Sequence, residues 1–214
     1  MRTWKIQRRA DDETALRNLG LSSSPLLESV SIGLSAAELV DFARDPRILR
    51  GIWVWGKIFG ALCGALQPDG WRKVEKMNWP RMINADGSVA IAVMAGDENT
   101  GAGPSARPKY RRGPMAIVAV AVNQLCLELG DATQKAAQVS DAELLRTYFL
   151  LYRRTADAIH VQLALPSEMK NGAVVTWAEC INVGTLELVT VDEEAADAGR
   201  AFDVPVEEKP GEEE

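Results

Sequence analysis

Histidine is almost missing from this chain: His160 is the only one in 214 residues. It falls between Ile159 and Val161 in what reads as the middle of a strand, and no Gly-x-Ser-x-Gly elbow occurs, so a serine or cysteine triad is not expected. Cysteine is scarce too. Cys63, Cys126 and Cys180 are odd in number and widely spaced, with no Cys-x-x-Cys, which argues against structural zinc and a disulfide framework. They are expected to be reduced and to pack as small apolar residues. No Gly-Lys-Ser/Thr follows any glycine cluster, so a phosphate-cradling P-loop is excluded, and the alternating acids of a calcium loop are absent. The most apolar stretch, Gly51 to Leu66, is broken by Lys57 and falls short of the roughly 20 apolar residues that cross a bilayer. A buried helix is expected there. The first ten residues carry Lys5, Arg8 and Arg9 with no apolar run behind them, and the expected location is the cytoplasm. No internal repeat is visible.

What is present is ordinary for a folded chain: 47% apolar and 25% charged residues. The charge is unevenly placed. From Val191 onward ten acids stand against Arg200 and Lys209, a balance of −8, while the preceding 190 residues carry 22 basic and 20 acidic side chains, a balance of +2. The expected organisation is one α+β domain over residues 1–190, followed by an acidic segment over 191–214 too poor in apolar residues to fold.

Along the chain, Trp4 to Arg9 reads as a weak edge strand or arm. Ser24-Pro25 predicts an N-cap with proline in the first helical position, followed by Leu27, Val30 and Leu34 at helical spacing. Ser35 and Glu38 form a capping-box pattern that restarts or continues that helix through Leu39, Val40 and Phe42. Asp45-Pro46 opens a helix from about Arg47 to Gln67, with Ile48, Ile52, Trp55, Phe59, Leu62 and Leu66 as one apolar seam. Gly56, Gly60 and Gly64 lie on a neighbouring face. Their spacing predicts close packing against the protein's own sheet or, failing that, a helix-mediated interface with a partner.

Asp86-Gly87 between Met82-Ile83-Asn84 and Val89 to Met94 is a hairpin signal, and the second run is apolar on both faces, as in a strand inside a sheet. A long glycine-, proline- and base-rich loop is expected over 96–114. Pro114 then opens a helix through Ile117, Val118, Ala121, Val122, Leu125 and Leu129, stopped at Gly130. Ser140 and Glu143 cap a shorter one. Tyr148 to Arg153, Ala158 to Leu165, Ala173 to Asn182 and Thr185 to Val191 read as strands of an antiparallel meander, with a turn at Asn171-Gly172. The expected architecture is therefore α+β: a mainly antiparallel sheet of about five to seven strands packed against an N-terminal and central helical layer.

Three groups of residues carry candidate chemistry. Asp97, Glu98 and Asn99 sit where a central strand hands over to the long loop, and two adjacent carboxylates suit Mg2+ or Mn2+ in a hydrolase or nuclease. The same residues equally suit a polar turn whose side chains bond the local backbone. Arg107, Lys109, Tyr110, Arg111 and Arg112 combine four cations with an aromatic ring, as a phosphate and an unpaired base would require. Arg72, Lys73 and Lys76, among Trp71, Trp79 and Arg81, form a second basic-aromatic stretch, and Arg153-Arg154 a third. Asp157 with Glu168-Met169-Lys170 superficially resembles the Asp…Glu-x-Lys core of metal-dependent nucleases, but the Glu-x-Lys is expected in a hairpin loop rather than on a strand. The reading that follows is a non-catalytic accessory or binding module, needing no cofactor, such as a subunit of a nucleic-acid-handling, mobile-element or defence complex. The alternatives are a metal-dependent hydrolase or nuclease using Asp97 and Glu98, and a structural subunit joined through Gly56, Gly60 and Gly64.

Overall fold

A computed structural model of the protein describes residues 3–7, 10–41, 43–137 and 145–189. The helix expected at Ser140 and the acidic segment from Val191 lie outside them. Seven strands form one sheet: β1 (Thr3–Gln7), β2 (Arg72–Lys76), β3 (Trp79–Ile83), β4 (Val89–Ala95), β5 (Arg146–Arg154), β6 (Ala158–Lys170) and β7 (Ala173–Val189), in the order β1-β7-β6-β5-β4-β3-β2. The helices are α1 (Ala10–Asn18), α2 (Ser23–Ala36), α3 (Arg47–Leu66) and α4 (Pro114–Ala137). This is the α+β arrangement read from the sequence, a mostly antiparallel sheet with helices at N-terminal and central positions.

Turn chemistry sets the hairpins. Asp86 Oδ1 accepts from the Ser88 amide at 2.9 Å and Gly87 takes φ 76° between β3 and β4. Asn171 and Gly172 both have positive φ between β6 and β7, as do Met77 and Asn78 between β2 and β3, which is the backbone of two-residue hairpin turns. The exception to antiparallel pairing is β4 with β5, which run parallel. Parallel neighbours need a long crossover, and here residues 96–113 and α4 supply it.

Both faces of the sheet are covered. Val89, Ile91 and Val93 of β4, with Tyr148 and Leu150 of β5, pack in the larger core with α1, α2 and α3. The alternate residues Ala92, Met94, Phe149 and Leu151 pack against Ala116 and Val120 of α4. That is why β4 is apolar throughout: it is buried on both sides.

The structure corrects several local expectations. Helix α2 begins at Ser23, ahead of Pro25, because Ser23 is buried and its hydroxyl donates to Glu13 Oε2 at 3.0 Å, tying α1 to α2. After Ala36 the chain tightens into a single 3-10 turn over Ala37–Leu39, so the Ser35/Glu38 pattern opens no further α-helix. Helix α4 runs through Gly130 to Ala137, since one interior glycine costs only about 1 kcal/mol. Its sheet-facing side consists of Ala116, Ala119, Val120, Asn123 and Cys126, while Ile117, Val118 and Leu125 face outward. The two last expected strands are one, β7, interrupted by a register shift at Val183 and Gly184. Leu165-Pro166-Ser167 lies inside β6, not in a hairpin loop. Pro166 is tolerated because the β5–β6 ladder stops at Phe149 with Ala164 and the pairing with Trp177 of β7 is broken by register shifts on either side of it.

Helix α3 has the expected bounds but a different inner face. Val54, Ile58, Phe59, Leu62 and Leu66 are buried, whereas Ile48 and Ile52 at the start of the expected seam are 72% and 54% exposed. Ile48–Asp69 meets the length and composition of a membrane-crossing helix, although its Ile58, Leu62 and Leu66 are committed to the protein core. Gly56, Gly60 and Gly64 do not pack on the sheet: a Cβ built on any of them meets nothing within 4 Å. The close approach is made by Gly33 of α2 instead. An alanine at Gly60 or Gly64 is therefore expected to raise unfolding stability by about 0.5–1 kcal/mol through its better helix propensity, measurable as a higher urea midpoint.

Candidate functional site: the carboxyl ends of β4 and β5

Parallel strands that end side by side, with their connections leaving toward opposite faces, create a crevice beyond their carboxyl ends, and ligands in open α/β sheets gather there. Strands β4 and β5 are parallel and end side by side at Ala95 and Arg154, but only β4 leaves by a crossover, since β5 turns directly into β6. The chain leaves β4 toward α4 on one face, while α3 covers the other.

The long loop that begins here is pinned along its length. The Gly96 amide donates to Tyr152 O and the Lys109 amide to Ala95 O, each at 2.9 Å, so both ends of residues 96–109 are tied to the strand ends. Asp97 Oδ1 accepts from the amides of Asn99 at 3.1 Å and Arg107 at 3.0 Å. Fully buried Gln162 of β6 reaches under the loop, accepting from the amides of Gly101 and Gly103 and donating to Gly103 O. Trp177 Nε1 donates to Ala106 O at 2.8 Å. A loop this long inside a compact fold is held by specific bonds or serves a function, and here the bonds are visible.

The three sequence-derived groups have different fates. Asp97 is engaged in the loop's own backbone bonding, the Glu98 carbonyl accepts from the Arg153 guanidinium, and the Asn99 amide is one of Asp97's two donors. Among the described residues no three His, Cys, Asp or Glu side chains converge in a way that could hold a metal ion. Arg107 is turned onto the carbonyls of Pro104, Ala106 and Val175. Lys109, Tyr110 and Arg111 are exposed together: the Lys109 ammonium lies 5.7 Å from the Tyr110 ring centre, Tyr110 is 62% exposed, and Arg111 Nη1 donates to Asn171 O at 3.3 Å. Arg112 points the other way. Its amide donates to Gly172 O and its Nε to Tyr110 O, and its Nη2 is buried with no hydrogen-bond partner among the described residues.

The second basic stretch does not join this group. Arg72, Lys73 and Lys76 lie on β2, the sheet edge two strands beyond β4, and strand alternation divides them between the two faces. Lys73 is on the α3 side, 2.9 Å from Glu75, and that hydrogen bond is the first cause of its raised pKa. The nuclease-like triplet is also dispersed. Asp157 lies just before β6 and Glu168 near its other end, beyond several register shifts, and Glu168 is taken by Lys170 and Thr176.

Behind the exposed loop residues lies a cavity of about 710 Å3. Leu34, Ile48, Ile52 and Trp55 of α2 and α3 form one wall, and Met94 and Tyr152 the strand ends. Arg50, Lys109, Arg112 and Arg154 also line it, and no Asp or Glu appears among its described lining residues. Glu38, from the 3-10 turn after α2, reaches Arg154 at 3.6 Å. Burial is the main cause that pushes the Tyr152 hydroxyl up to about 12, keeping it a neutral donor, and burial likewise lowers the Arg112 pKa. Arg154 was legible in the sequence as a basic strand end. Arg50, Ile48, Ile52 and Tyr152 were not, because only the parallel pairing of β4 with β5 brings them to one place.

Elsewhere the nucleophile candidates are quiet. Burial raises the pKa of Cys63, Cys126 and Cys180, away from the thiolate that nucleophilic chemistry uses. His160 is half-buried on β6 with Nδ1 3.2 Å from Thr185 Oγ1, and burial followed by Arg153 lowers its pKa. Comparison with models of protein families, with curated proteins and with solved structures finds no match to this chain.

Proposed function

We propose that the protein is a non-catalytic binding module, an accessory subunit that holds single-stranded nucleic acid on the exposed rim formed by Lys109, Tyr110 and Arg111. The observation that carries the reading is the pinned loop. Its bonds to Ala95, Tyr152, Gln162 and Trp177 hold two cations and a largely exposed aromatic ring together beside the end of β4. Such a pairing suits a nucleic-acid strand, where cations neutralise phosphates and the ring stacks on an unpaired base.

Charge placement supports a regulatory part for the acidic segment. Strands β5 and β7 are each antiparallel to β6, so β7 runs parallel to β5 and ends at the same end of the sheet, three strand spacings or about 14 Å to the side of β4. The −8 segment that follows in the sequence would compete with the phosphates for the cations of the rim. The alternative hydrolase built on Asp97 and Glu98 gains no support from a carboxylate whose Oδ1 already accepts two amides. The test is salt-dependent binding of a single-stranded oligonucleotide by the full chain and by a chain ending at Thr190.

A further inference from the structure

We propose that the cavity behind the rim is a binding site for a small amphipathic anion, a carboxylate or phosphate monoester on an apolar body, and that Arg112 receives its charge. The cavity shares Lys109 and Tyr110 with the rim, but the proposal does not require that the rim bind nucleic acid. At about 710 Å3 the cavity lies within the range of small-molecule sites, and like them it is walled mainly by apolar and aromatic side chains. Ile48 and Ile52 are exposed here although the following turns of α3 bury Val54, Ile58 and Leu62, so the helix overhangs the strand ends and lends its apolar side to the cavity.

The polar groups select the head of the ligand. Arg112 keeps its charge at any physiological pH, and a buried guanidinium nitrogen without an acceptor is costly. Its Nη2 is in that position, closed off from solvent, so the guanidinium must turn into the cavity it lines to take an anion, while Nε is spent on the Tyr110 carbonyl. An oxyanion is the complementary partner, and planar oxyanions match the guanidinium fork. Arg50, Lys109 and Arg154 add positive potential, with Glu38 3.6 Å from Arg154. A nucleobase fits less well. Trp55 Nε1 is already bonded to Val93 O at 3.1 Å, so few groups beyond the cations and the Tyr152 hydroxyl remain to satisfy the polar edge of a base.

The experiment is isothermal titration of the full chain with decanoate, decyl phosphate, decanol and acetate, all below micelle-forming concentrations. Decanoate or decyl phosphate is expected to bind at least about tenfold more tightly than decanol and acetate, and the tighter of the two identifies the head group. Arg112→Gln should weaken the anions by about tenfold or more and leave decanol unchanged, with Arg112→Lys restoring part of the loss. Gly51 lines the cavity and its Cβ direction is open, so Gly51→Trp should fill the site and abolish binding in a folded protein. Equal binding of decanol and the anions, unchanged anion affinity in Arg112→Gln, or no binding of any probe would overturn the proposal. Oligonucleotide binding measured on the same samples keeps this outcome separate from that of the rim.

Discussion

Replacing Gly33 with valine is expected to destabilise the protein by about 3 kcal/mol or more, enough to shift the urea midpoint strongly and to leave much of the chain unfolded at physiological temperature. A Cβ at Gly33 would stand 2.1 Å from Ile58 Cγ1, 2.7 Å from the Ile58 amide nitrogen and 2.9 Å from Val54 O. The first contact could be relieved by a rotamer change, but the other two are backbone atoms of α3. The helices would have to separate, and with them the layer formed by Leu26, Val30 and Leu34 against Val54, Ile58 and Leu62. Alanine at Gly33 should already be destabilising, whereas alanine at Gly60 should be stabilising. The opposite signs on two helices that touch each other are a sharp check on which glycines make the contact, and unfolding of both variants under identical conditions provides it.

Asn123→Leu is expected to cost about 3 kcal/mol or more for a change that conserves side-chain volume. Asn123 is fully buried on α4 and stands in for a strand where the ladder of β5 and β6 has ended. Extending the register beyond Phe149 and Ala164 would set Thr147 opposite Pro166, which has no N–H to offer. The Asn123 carboxamide fills the gap: Nδ2 donates to Thr147 O at 3.0 Å and Pro166 O at 2.9 Å, and Oδ1 accepts from the Thr147 amide at 2.7 Å. Leucine would orphan all three in a dry layer, where each unmade bond costs about 1–3 kcal/mol. Hydrogen exchange should show the Thr147 amide losing protection before its neighbours in β5. Unchanged stability would mean that the β5–β6 junction is not closed through this side chain.

What was legible in the sequence was local. Asp45-Pro46 marks the start of α3, Asp86-Gly87 marks the β3–β4 hairpin, and the unbroken apolar run of β4 announces a strand covered on both faces. What was not legible depends on partners far along the chain. Nothing local states that β4 pairs with β5 across fifty residues, so the crevice at their ends had no sequence signature. Ile48 and Ile52 have the spacing of a core seam, and periodicity does not tell a residue over a cavity from one over a sheet. Asp97 reads as a metal ligand or as a turn; the choice rests on Arg107, ten residues away, whose amide it accepts. Gly56, Gly60 and Gly64 form the conspicuous pattern, yet the packing glycine is solitary Gly33, distinguished only by what α3 places opposite it. The basic loop was found by composition. Its division into outward Lys109 and Arg111, inward Arg112 and structural Arg107 is set by hydrogen bonds to other elements.

The claim that the rim is a nucleic-acid surface guarded by the acidic segment is tested most directly by fluorescence anisotropy of a labelled single-stranded oligonucleotide over a range of salt concentrations. The full chain, the chain ending at Thr190, and Lys109→Gln/Arg111→Gln in the shorter chain would be compared. The expected result is several-fold tighter binding by the shorter chain and a salt slope reduced by about 1.4 in the double variant, since each phosphate contact on a single strand contributes about 0.7. Absence of binding by both chains at low salt, or an identical slope in the double variant, would contradict the account.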